Sequence, residues 1–405
     1  MNTRNLTKLF NSFLKVFTTN WSIFFIDFII GVAIINYLGA EFKGQFSAFL
    51  VLIGLFASTL SFGLNQSNVY FQNKRLQSRN SNYIIQLYIQ LLFSLFLIFI
   101  LIFYVADVAN FLKLNTNASY IIIISIILSF NSQLFTLFLI TDYLAEKKID
   151  HFFKLRFGIV SIKLLTVIAC VLIGFNIVNL FLIYAIFEFI YVLLFFIPQI
   201  NFFGIKKPQI SRHYFLFGLK SHINVIIQNI YKRFDYFIII TLTSIEVLGK
   251  YSIALIFYQL MLSIPQALNG LLFGDFIKKK YSIRSIFKTI FFTTLILALF
   301  MSIIVEKFLF YAYGPDLVDM KNTSIILIFA GFFSALASIF KIKFISLDKA
   351  EYVTYEQIIT GTIQIFLMYS LIDLYGVEGV AVAVLSGAIS SLTIRYLFKR
   401  YVKGS

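Results

Sequence analysis

Charged residues are scarce in this chain: Asp, Glu, Lys and Arg make up 13% of its 405 residues, whereas 60% are hydrophobic. A soluble domain of this length carries roughly twice that charged fraction. Only 4 prolines are available to interrupt the apolar runs. The composition therefore argues against a water-soluble fold and favours long helices in a lipid bilayer.

Residues that hold metals, disulfides or catalytic nucleophiles are also few. Cys170 is the single cysteine and lies in an apolar run, which excludes a disulfide framework and a cysteine-based metal site. The three histidines, His151, His213 and His222, form no metal-binding pattern, and the sequence contains neither an HExxH nor a Walker A motif. No nucleophile–base pattern stands out. We therefore expect no enzyme activity, no metal and no cofactor.

The chain does contain a succession of long apolar segments. A transmembrane helix needs about 20 apolar residues, and twelve segments reach or nearly reach that length. No loop between them is long enough to fold as a soluble domain. The sequence thus predicts an all-α integral membrane protein of about twelve spans. The predicted spans are 17–38, 45–67, 83–105, 120–141, 157–175, 177–198, 214–243, 249–273, 286–305, 323–345, 353–374 and 377–397.

Lys and Arg are distributed unevenly between the loops. With the N-terminus placed in the cytoplasm, 25 of the 34 Lys and Arg residues fall in cytoplasmic segments and 5 in external loops. Cytoplasmic loops of membrane proteins carry such an excess. Both termini are therefore predicted to be cytoplasmic, in a multi-pass protein of the cell (inner) membrane. The bias also accounts for the net charge of +16 without nucleic acid as a partner.

The two halves of the chain resemble each other at a shift of 205 residues, which places Gly44 on Gly249 and Lys74 on Lys279. The matches stay in one register across four spans, with chance matching in an apolar sequence as the alternative. Six spans per half give both halves the same orientation, and in such parallel repeats transporter sites tend to lie between the halves. The sequence predicts two six-helix lobes, 1–205 and 206–405.

Ionisable residues inside the spans are the candidates for function, because one near the bilayer centre costs about 2.5–3.5 kcal/mol on insertion scales. The seventh span carries the most, on two opposite sides of the helix. We expect this helix to face a hydrated cavity or to be enclosed by neighbours; snorkelling and a local Lys232–Asp235 pair are the alternatives. One arc comprises Lys220, Asn224, Gln228, Tyr231 and Asp235, with Lys232 at its edge, and the opposite stripe comprises His222, Asn229 and Arg233.

The first span carries one acidic residue, Asp27, on the same face as Asn20 and Gly31. In the 205-residue shift Asp27 aligns with Lys232. An acid and a base at equivalent places in two facing halves would pair across the central axis of the repeat.

Glu188 on the sixth span lies at a depth similar to that of Lys163 on the fifth. A buried Lys163–Glu188 pair that holds two helices together is one interpretation. A proton-coupling role for Glu188 is the other. The candidate coupling residues are accordingly Asp27, Glu188 and Asp235.

Five short motifs lie at or near the ends of the predicted helices. In chain order they are 38–46 (LGAEFKGQF), 62–66 (FGLNQ), 233–235 (RFD) with 248–252 (LGKYS), 313–315 (YGP) and 375–381 (YGVEGVA). In this order and spacing the motifs resemble those of the Wzx-type polysaccharide (O-antigen repeat-unit) flippases of the MATE/MOP exporter superfamily. The resemblance runs over nearly the whole chain.

The resemblance implies two lobes around a central cavity and a substrate made of a sugar repeat unit on an undecaprenyl-type pyrophosphate, moved to the outer leaflet for polysaccharides such as the O-antigen of lipopolysaccharide. It also implies a glycan polymerase and chain-length machinery as partners beyond the bilayer. Lys232 and Arg233 would neutralise the pyrophosphate. The side chains that would replace water around the sugar hydroxyls are Asn20, Asn65, Asn224 and Gln228.

Two other functions remain open. A cation-coupled exporter of drugs or metabolites in the same superfamily would have a cavity dominated by acids and aromatics, which the Lys232–Arg233 pair argues against. A glycan polymerase or transferase would need a large external loop with a catalytic Arg or His, and the sequence has none. Major-facilitator transporters share the number of spans, but loop 72–80 lacks their Gly-Arg-Arg type of signature.

Overall fold

The computed structural model is almost entirely helical over the residues it describes, which are 3–64, 67, 79–114, 119–146, 148–200, 212–277, 283–346 and 350–402. It also contains two short 3-10 turns, Ile197–Gln199 and Pro315–Met320. The helices are α1 Thr3–Leu38, α2 Ala40–Leu60, α3 Arg79–Phe111, α4 Ser119–Ala145, α5 Ile149–Ile173, α6 Ile177–Phe196, α7 Arg212–Leu242, α8 Ile245–Ile277, α9 Ile283–Tyr313, α10 Lys321–Ser346 and α11 Ala350–Val402.

The longest helix, α11, contains the break that separates the last two predicted spans. Inside its 53 residues the backbone at Gly376 is not helical, with φ 55° and ψ −134°. Glycine adopts a positive φ without the steric cost that a Cβ would add. The two arms, 350–375 and 377–402, are each long enough to cross a bilayer. The all-α prediction is confirmed, and each predicted span overlaps a helix or one of these arms.

Ten helices in the described part of the chain are long and apolar enough to cross a membrane. The helix α7 is not among them, which agrees with the polarity that the sequence analysis found on two of its sides. Lipid-facing surfaces are evident elsewhere, since α3 exposes a row of large apolar side chains that includes Leu92, Leu95, Phe99 and Phe103. The chain is a multi-pass α-helical membrane protein in which α7 is the polar exception.

Packing divides the chain into two compact units, the first formed by Met1–Gly44 with Tyr231–Ser405 and the second by Gln45–Ile230. In the first unit α10 packs against α8, α9 and α11, and α8 packs against α1. In the second unit α4 packs against α3, α5 and α6. The boundaries of the units fall inside α2 and α7. The lobes 1–205 and 206–405 stay a prediction.

Each unit has an apolar core of its own. In the first unit Phe257 and Met261 of α8 are fully buried, together with Leu309 of α9. In the second unit Phe138 of α4 and Phe196 of α6 are fully buried. Because lipid is as apolar as these side chains, such cores are held by close packing more than by the hydrophobic effect.

The helices α2 and α8 meet at their beginnings through a reciprocal glycine contact within the first unit. A Cβ added to Gly44 would lie 1.8 Å from the carbonyl oxygen of Ile245, and one added to Gly249 would lie 1.9 Å from that of Ala40. In the 205-residue shift Ala40 corresponds to Ile245 and Gly44 to Gly249, so each contact is the image of the other. A self-complementary contact of this kind arises when like elements meet across a two-fold axis.

Candidate functional site

The second half of α7 carries a buried acid held by two hydrogen bonds. Asp235 is 3% exposed. Its Oδ2 accepts a hydrogen bond of 2.9 Å from the Tyr251 hydroxyl on α8, and its Oδ1 accepts one of 2.9 Å from the backbone N–H of Tyr236. Both hydrogen bonds to this carboxylate therefore come from tyrosine residues. Neither comes from Lys232, which the alternative of a local Lys232–Asp235 pair would require.

Arg233 is engaged on the same side of α7. Its guanidinium carbon lies 5.7 Å from the centre of the Tyr236 ring, a cation–π distance. Its positive charge also acts on the carboxylate of Asp235. Arg233 and Asp235 thus offset each other's charge, and Tyr236 touches both.

Lys232 has a different environment from its neighbour. Its side chain is exposed, although it lies well inside α7. The preceding residue, Tyr231, packs against the first arm of α11, where a Cβ on Gly361 would lie 3.1 Å from the Tyr231 ring. This packing brings Lys232 within electrostatic range of charged residues on two other helices of the first unit. Those residues are Lys341 on α10 and Glu356 and Arg395 on α11.

Glu356 and Arg395 form a buried ion pair between the two arms of α11. Nη2 of Arg395 lies 2.7 Å from Oε2 of Glu356, and both side chains are almost fully buried. Nη1 of Arg395 donates to the carbonyl oxygen of Ala337 on α10 at 2.8 Å. The Thr360 hydroxyl donates to the Glu356 backbone carbonyl at 2.9 Å and lies 3.4 Å from its Oε1. One guanidinium therefore joins three helical segments and has a fixed orientation.

We call Lys232, Lys341, Glu356 and Arg395 the basic cluster. It brings three cations and one carboxylate into one part of the first unit. Two buried polar atoms, Nε of Arg395 within the cluster and Oε1 of Gln357, the residue after Glu356, have no hydrogen-bond partner among the residues that the structure describes. Buried polar atoms nearly always have a partner in the protein or in ordered water. The cluster can therefore accept further polar or charged groups.

Sequence reasoning missed three of these four residues. Lys341 and Arg395 were counted with the cytoplasmic segments, although they lie inside the predicted spans 323–345 and 377–397. Glu356 lies inside the span 353–374 and was not singled out. An ionisable residue within a predicted span was the available signal. Their convergence depends on how α7, α10 and α11 pack, which a reading of single helices cannot show.

The other predicted substrate residues are placed less completely. Asp27 and Asn20 are half-buried on α1 in the first unit, and Gln228 is half-buried on the part of α7 that belongs to the second. Lys220 and Asn224 lie on α7, but their side chains are outside what the structure describes, and so is all of Asn65. Their roles at the sugar, and the pairing of Asp27 with Lys232, stay predictions.

Glu188 is fully buried in the second unit. Its Oε1 lies 3.4 Å from the amide nitrogen of Gln133 on α4, and its Oε2 has no hydrogen-bond partner within the described residues. The hydroxyl of Tyr184 on α6 and the charge of Lys163 on α5 also act on this carboxylate. Both interpretations, a structural pair and a coupling site, stay open.

His222, which the snorkelling alternative directed toward the cytoplasmic interface, is a packing residue of the second unit. It is 1% exposed, and its Nε2 lies 2.8 Å from the carbonyl oxygen of Thr59. Its ring stacks on that of Phe62, with centroids 5.9 Å apart. A Cβ on Gly63 would lie 2.2 Å from the carbonyl oxygen of Gly218, so α7 lies directly against the turn after α2.

We predict that Tyr251→Phe lowers the free energy of unfolding by about 1.5–3 kcal/mol, because the hydrogen bond that it removes is made to a buried carboxylate. The matched control is Tyr258→Phe, which removes a hydrogen bond to the neutral hydroxyl of Ser334 and should cost about 0.5–1.5 kcal/mol. Thermal unfolding of the purified proteins in detergent measures both. Equal losses would mean that Asp235 does not depend on Tyr251.

Neither a family model nor a curated protein sequence matches this chain. Solved structures do match. An inward-facing multidrug resistance MATE family transporter of the MOP superfamily matches with a TM-score of 0.71 and 13% identity, over 94% of each chain. The lipid II flippase MurJ, in an inward closed conformation, matches with a TM-score of 0.72 and 14% identity, over 94% of this chain and 87% of its own. A Vibrio cholerae MATE transporter matches with a TM-score of 0.69 and 13% identity, over 98% and 99%. The chain therefore has the fold that the MATE transporters and a lipid flippase share.

Proposed function

We propose that this protein is a flippase that moves isoprenoid-pyrophosphate-linked oligosaccharide repeat units from the cytoplasmic to the outer leaflet of the cell membrane, for the synthesis of a surface polysaccharide such as O-antigen. The observation that carries the proposal is the exposed Lys232 on the polar helix α7, surrounded by an excess of cations in an otherwise apolar helical protein. The fold supports it, because one protein that shares this fold is a lipid II flippase.

The chemistry of such a substrate fits the residues on α7. A pyrophosphate carries dense negative charge and does not cross a hydrocarbon layer unaided. Lys232 and Arg233 would neutralise it, while the isoprenoid chain stays in the surrounding lipid. Rocking of one lobe on the other would expose the site to each side in turn. The side chains proposed to contact the sugar are Asn20, Asn65, Asn224 and Gln228, with Lys220 at the cytoplasmic end of α7.

Orientation and energy source belong to the same proposal. The Lys and Arg bias places both termini in the cytoplasm, so that the substrate enters from the leaflet on which it is made. Asp27, Glu188 and Asp235 are the carboxylates proposed to couple transport to an ion. The glycan polymerase and its chain-length machinery would take the product on the outer side.

A cation-coupled exporter of drugs or metabolites is the second candidate, favoured by the likeness of the fold to multidrug MATE transporters. The two candidates differ in the charge of the cargo. An exporter of cationic drugs needs acids at its site, whereas the group around Lys232 has three cations and one carboxylate. Deletion of the gene should therefore leave resistance to cationic drugs unchanged; increased sensitivity would favour the exporter.

Deletion of the gene also tests the flippase directly. We expect surface polysaccharide to fall and lipid-linked repeat units to accumulate on the cytoplasmic leaflet, because the lipid-linked unit cannot cross unaided. Lipid extraction with mass spectrometry measures the intermediate, and a plasmid-borne copy is the control. A normal amount of glycan with no accumulated intermediate would contradict the proposal.

Single substitutions on α7 give a finer test. We predict that Lys232→Ala and Arg233→Ala lower glycan export severalfold while the protein remains in the membrane at its usual level, since each removes one charge from the proposed headgroup contact. Lys307→Ala, at an exposed position on α9, should export normally. Export at the wild-type rate from both α7 variants would remove these residues from the site.

A further inference from the structure

We propose that Lys232, Lys341 and Arg395 form a single binding site for a doubly charged anion of the pyrophosphate diester class, and that Glu356 is the residue that positions Arg395 in it. The proposal rests on the proposed function and deepens it. It assigns the headgroup of the substrate to α10 and α11 as well as to α7, through residues that no motif in the sequence indicates.

Charge balance is the first argument. In the first unit the charges of Arg233 and Asp235 offset each other beside Tyr236, so that Arg233 can contact the headgroup without adding to the net charge of the site. The basic cluster, in contrast, contains three cations and one carboxylate, which leaves a formal charge of two. A pyrophosphate that is esterified at both ends carries two negative charges at neutral pH. Its charge therefore equals the excess of the cluster, whereas a cationic or zwitterionic cargo would leave that excess in place.

Access is the second argument. Lys232 is exposed and Lys341 is half-buried, so neither side chain is sealed inside the helix packing. Ammonium groups on flexible stems bind phosphates as point charges and do not require one fixed geometry. They belong to different helices, α7 and α10, and their positive charges act on each other. Two cations held within range of each other are stabilised by an anion between them.

The fixed geometry of Arg395 is the third argument. Its Nη1 and Nη2 each donate one hydrogen bond, to Ala337 and Glu356, and its Nε has no partner in the described part of the chain. Glu356 therefore fixes the plane of the guanidinium and contributes no net attraction for an anion. A guanidinium held in this way loses little conformational entropy when a ligand arrives. Glu356 is a positioning residue in this account.

Binding of inorganic pyrophosphate by the purified protein in detergent tests the site without any transport step. Titration calorimetry at constant ionic strength should show saturable binding of pyrophosphate that is stronger than binding of sulfate. Lys232→Gln and Lys341→Gln should each weaken it about tenfold or more, as expected for the loss of one charge-assisted bond. Lys307→Gln is the matched control and should bind as the wild type does. Wild-type affinity in both cluster variants, or an equal loss in the control, would overturn the site.

Glu356→Gln separates positioning from simple screening of charge. The substitution makes the cluster more positive, so affinity for pyrophosphate would rise if Glu356 only screened the cations. If Glu356 orients Arg395, affinity should fall severalfold, and Arg395→Lys should fall similarly because it keeps the charge but loses the planar fork. Circular dichroism and gel filtration show whether the variants are folded. A rise in affinity in folded Glu356→Gln would overturn the positioning role.

The binding and export assays can fail independently. If pyrophosphate binding depends on Lys341 but the deletion strain makes normal polysaccharide, the binding site is supported and the flippase proposal is contradicted. The opposite result is also possible: lipid-linked units accumulate in the deletion strain, but Lys341→Gln does not change pyrophosphate binding. That result would support the flippase proposal and contradict the proposed binding site.

Discussion

Replacing Glu356 with alanine is expected to lower the free energy of unfolding by about 3–5 kcal/mol, the cost of leaving one charge of a buried ion pair without its partner. The Arg395 side chain would remain buried beside Ala337, with no anion to offset its charge. The loss should appear as a lower midpoint of thermal unfolding and as less protein in the membrane.

The matched control is Glu306→Ala, which breaks an exposed ion pair with Lys321 of 2.5 Å. Surface pairs contribute about 0–1 kcal/mol because water screens them. If both variants lose a similar free energy of unfolding, burial does not make the Glu356–Arg395 pair more important for stability than an exposed pair.

A double variant separates stability from function. Replacement of Glu356 and Arg395 together by methionine removes both buried charges, and exchange of a buried pair for apolar side chains is often neutral or stabilising. The double variant should therefore recover most of the stability that Glu356→Ala loses, yet bind pyrophosphate weakly. Recovery of stability with wild-type affinity would show that the pair serves only the fold.

The second large effect is expected at the crossing of α2 and α8. A Cβ on Gly249 would lie 1.9 Å from the carbonyl oxygen of Ala40, a backbone atom that cannot turn away. Gly249→Ala should therefore separate the two helices, at a cost of at least about 1–3 kcal/mol, and reduce export severely. Gly44→Ala should cause a loss of similar size, because its contact with Ile245 is the image of the first.

Gly54→Ala is the control for this prediction. Gly54 lies on α2 at an exposed position where an added Cβ meets nothing within 4 Å. Alanine there should be neutral, or stabilising by about 0.5–1 kcal/mol, since glycine loses more conformational freedom in a helix. Export and thermal unfolding measure all three variants. Markedly unequal losses at Gly44 and Gly249 would contradict the two-fold relation between the contacts.

Helix positions could be read from the sequence because they follow from short-range properties. A lipid-spanning segment must be a helix of about 20 apolar residues, so the run of apolar side chains sets the bounds of each span within a few residues. Even the break in α11 had a local signal, since Gly376 lies between two predicted spans and takes a positive φ.

The composition of the site could be read only in part. The helical wheel of α7 identified Lys232, Arg233 and Asp235, because polar groups on an otherwise apolar helix are visible along one segment. Their separate environments were not visible. Arg233 and Asp235 share Tyr236, whereas Lys232 is near α10 and α11, and only the packing of several helices makes that distinction.

The remaining candidates show the same limit. Glu188 and Lys163 were matched by their depth in neighbouring spans, and depth alone cannot specify rotation about a helix axis. The structure adds Gln133 of α4 beside the Glu188 carboxylate, a contact between residues 55 positions apart. Contacts at this separation arise from tertiary packing, which no periodicity within a single helix encodes.

Translocation of the lipid-linked substrate by the pure protein tests the central claim most directly. Lipid-linked repeat units extracted from the deletion strain can be placed in liposomes with the reconstituted protein, and their appearance in the opposite leaflet can be followed with an enzyme that labels only accessible sugars. We predict rapid translocation by the wild type, slow translocation by Lys232→Gln and Lys341→Gln, and wild-type rates for Lys307→Gln. Wild-type protein that moves the substrate no faster than protein-free liposomes would contradict the account.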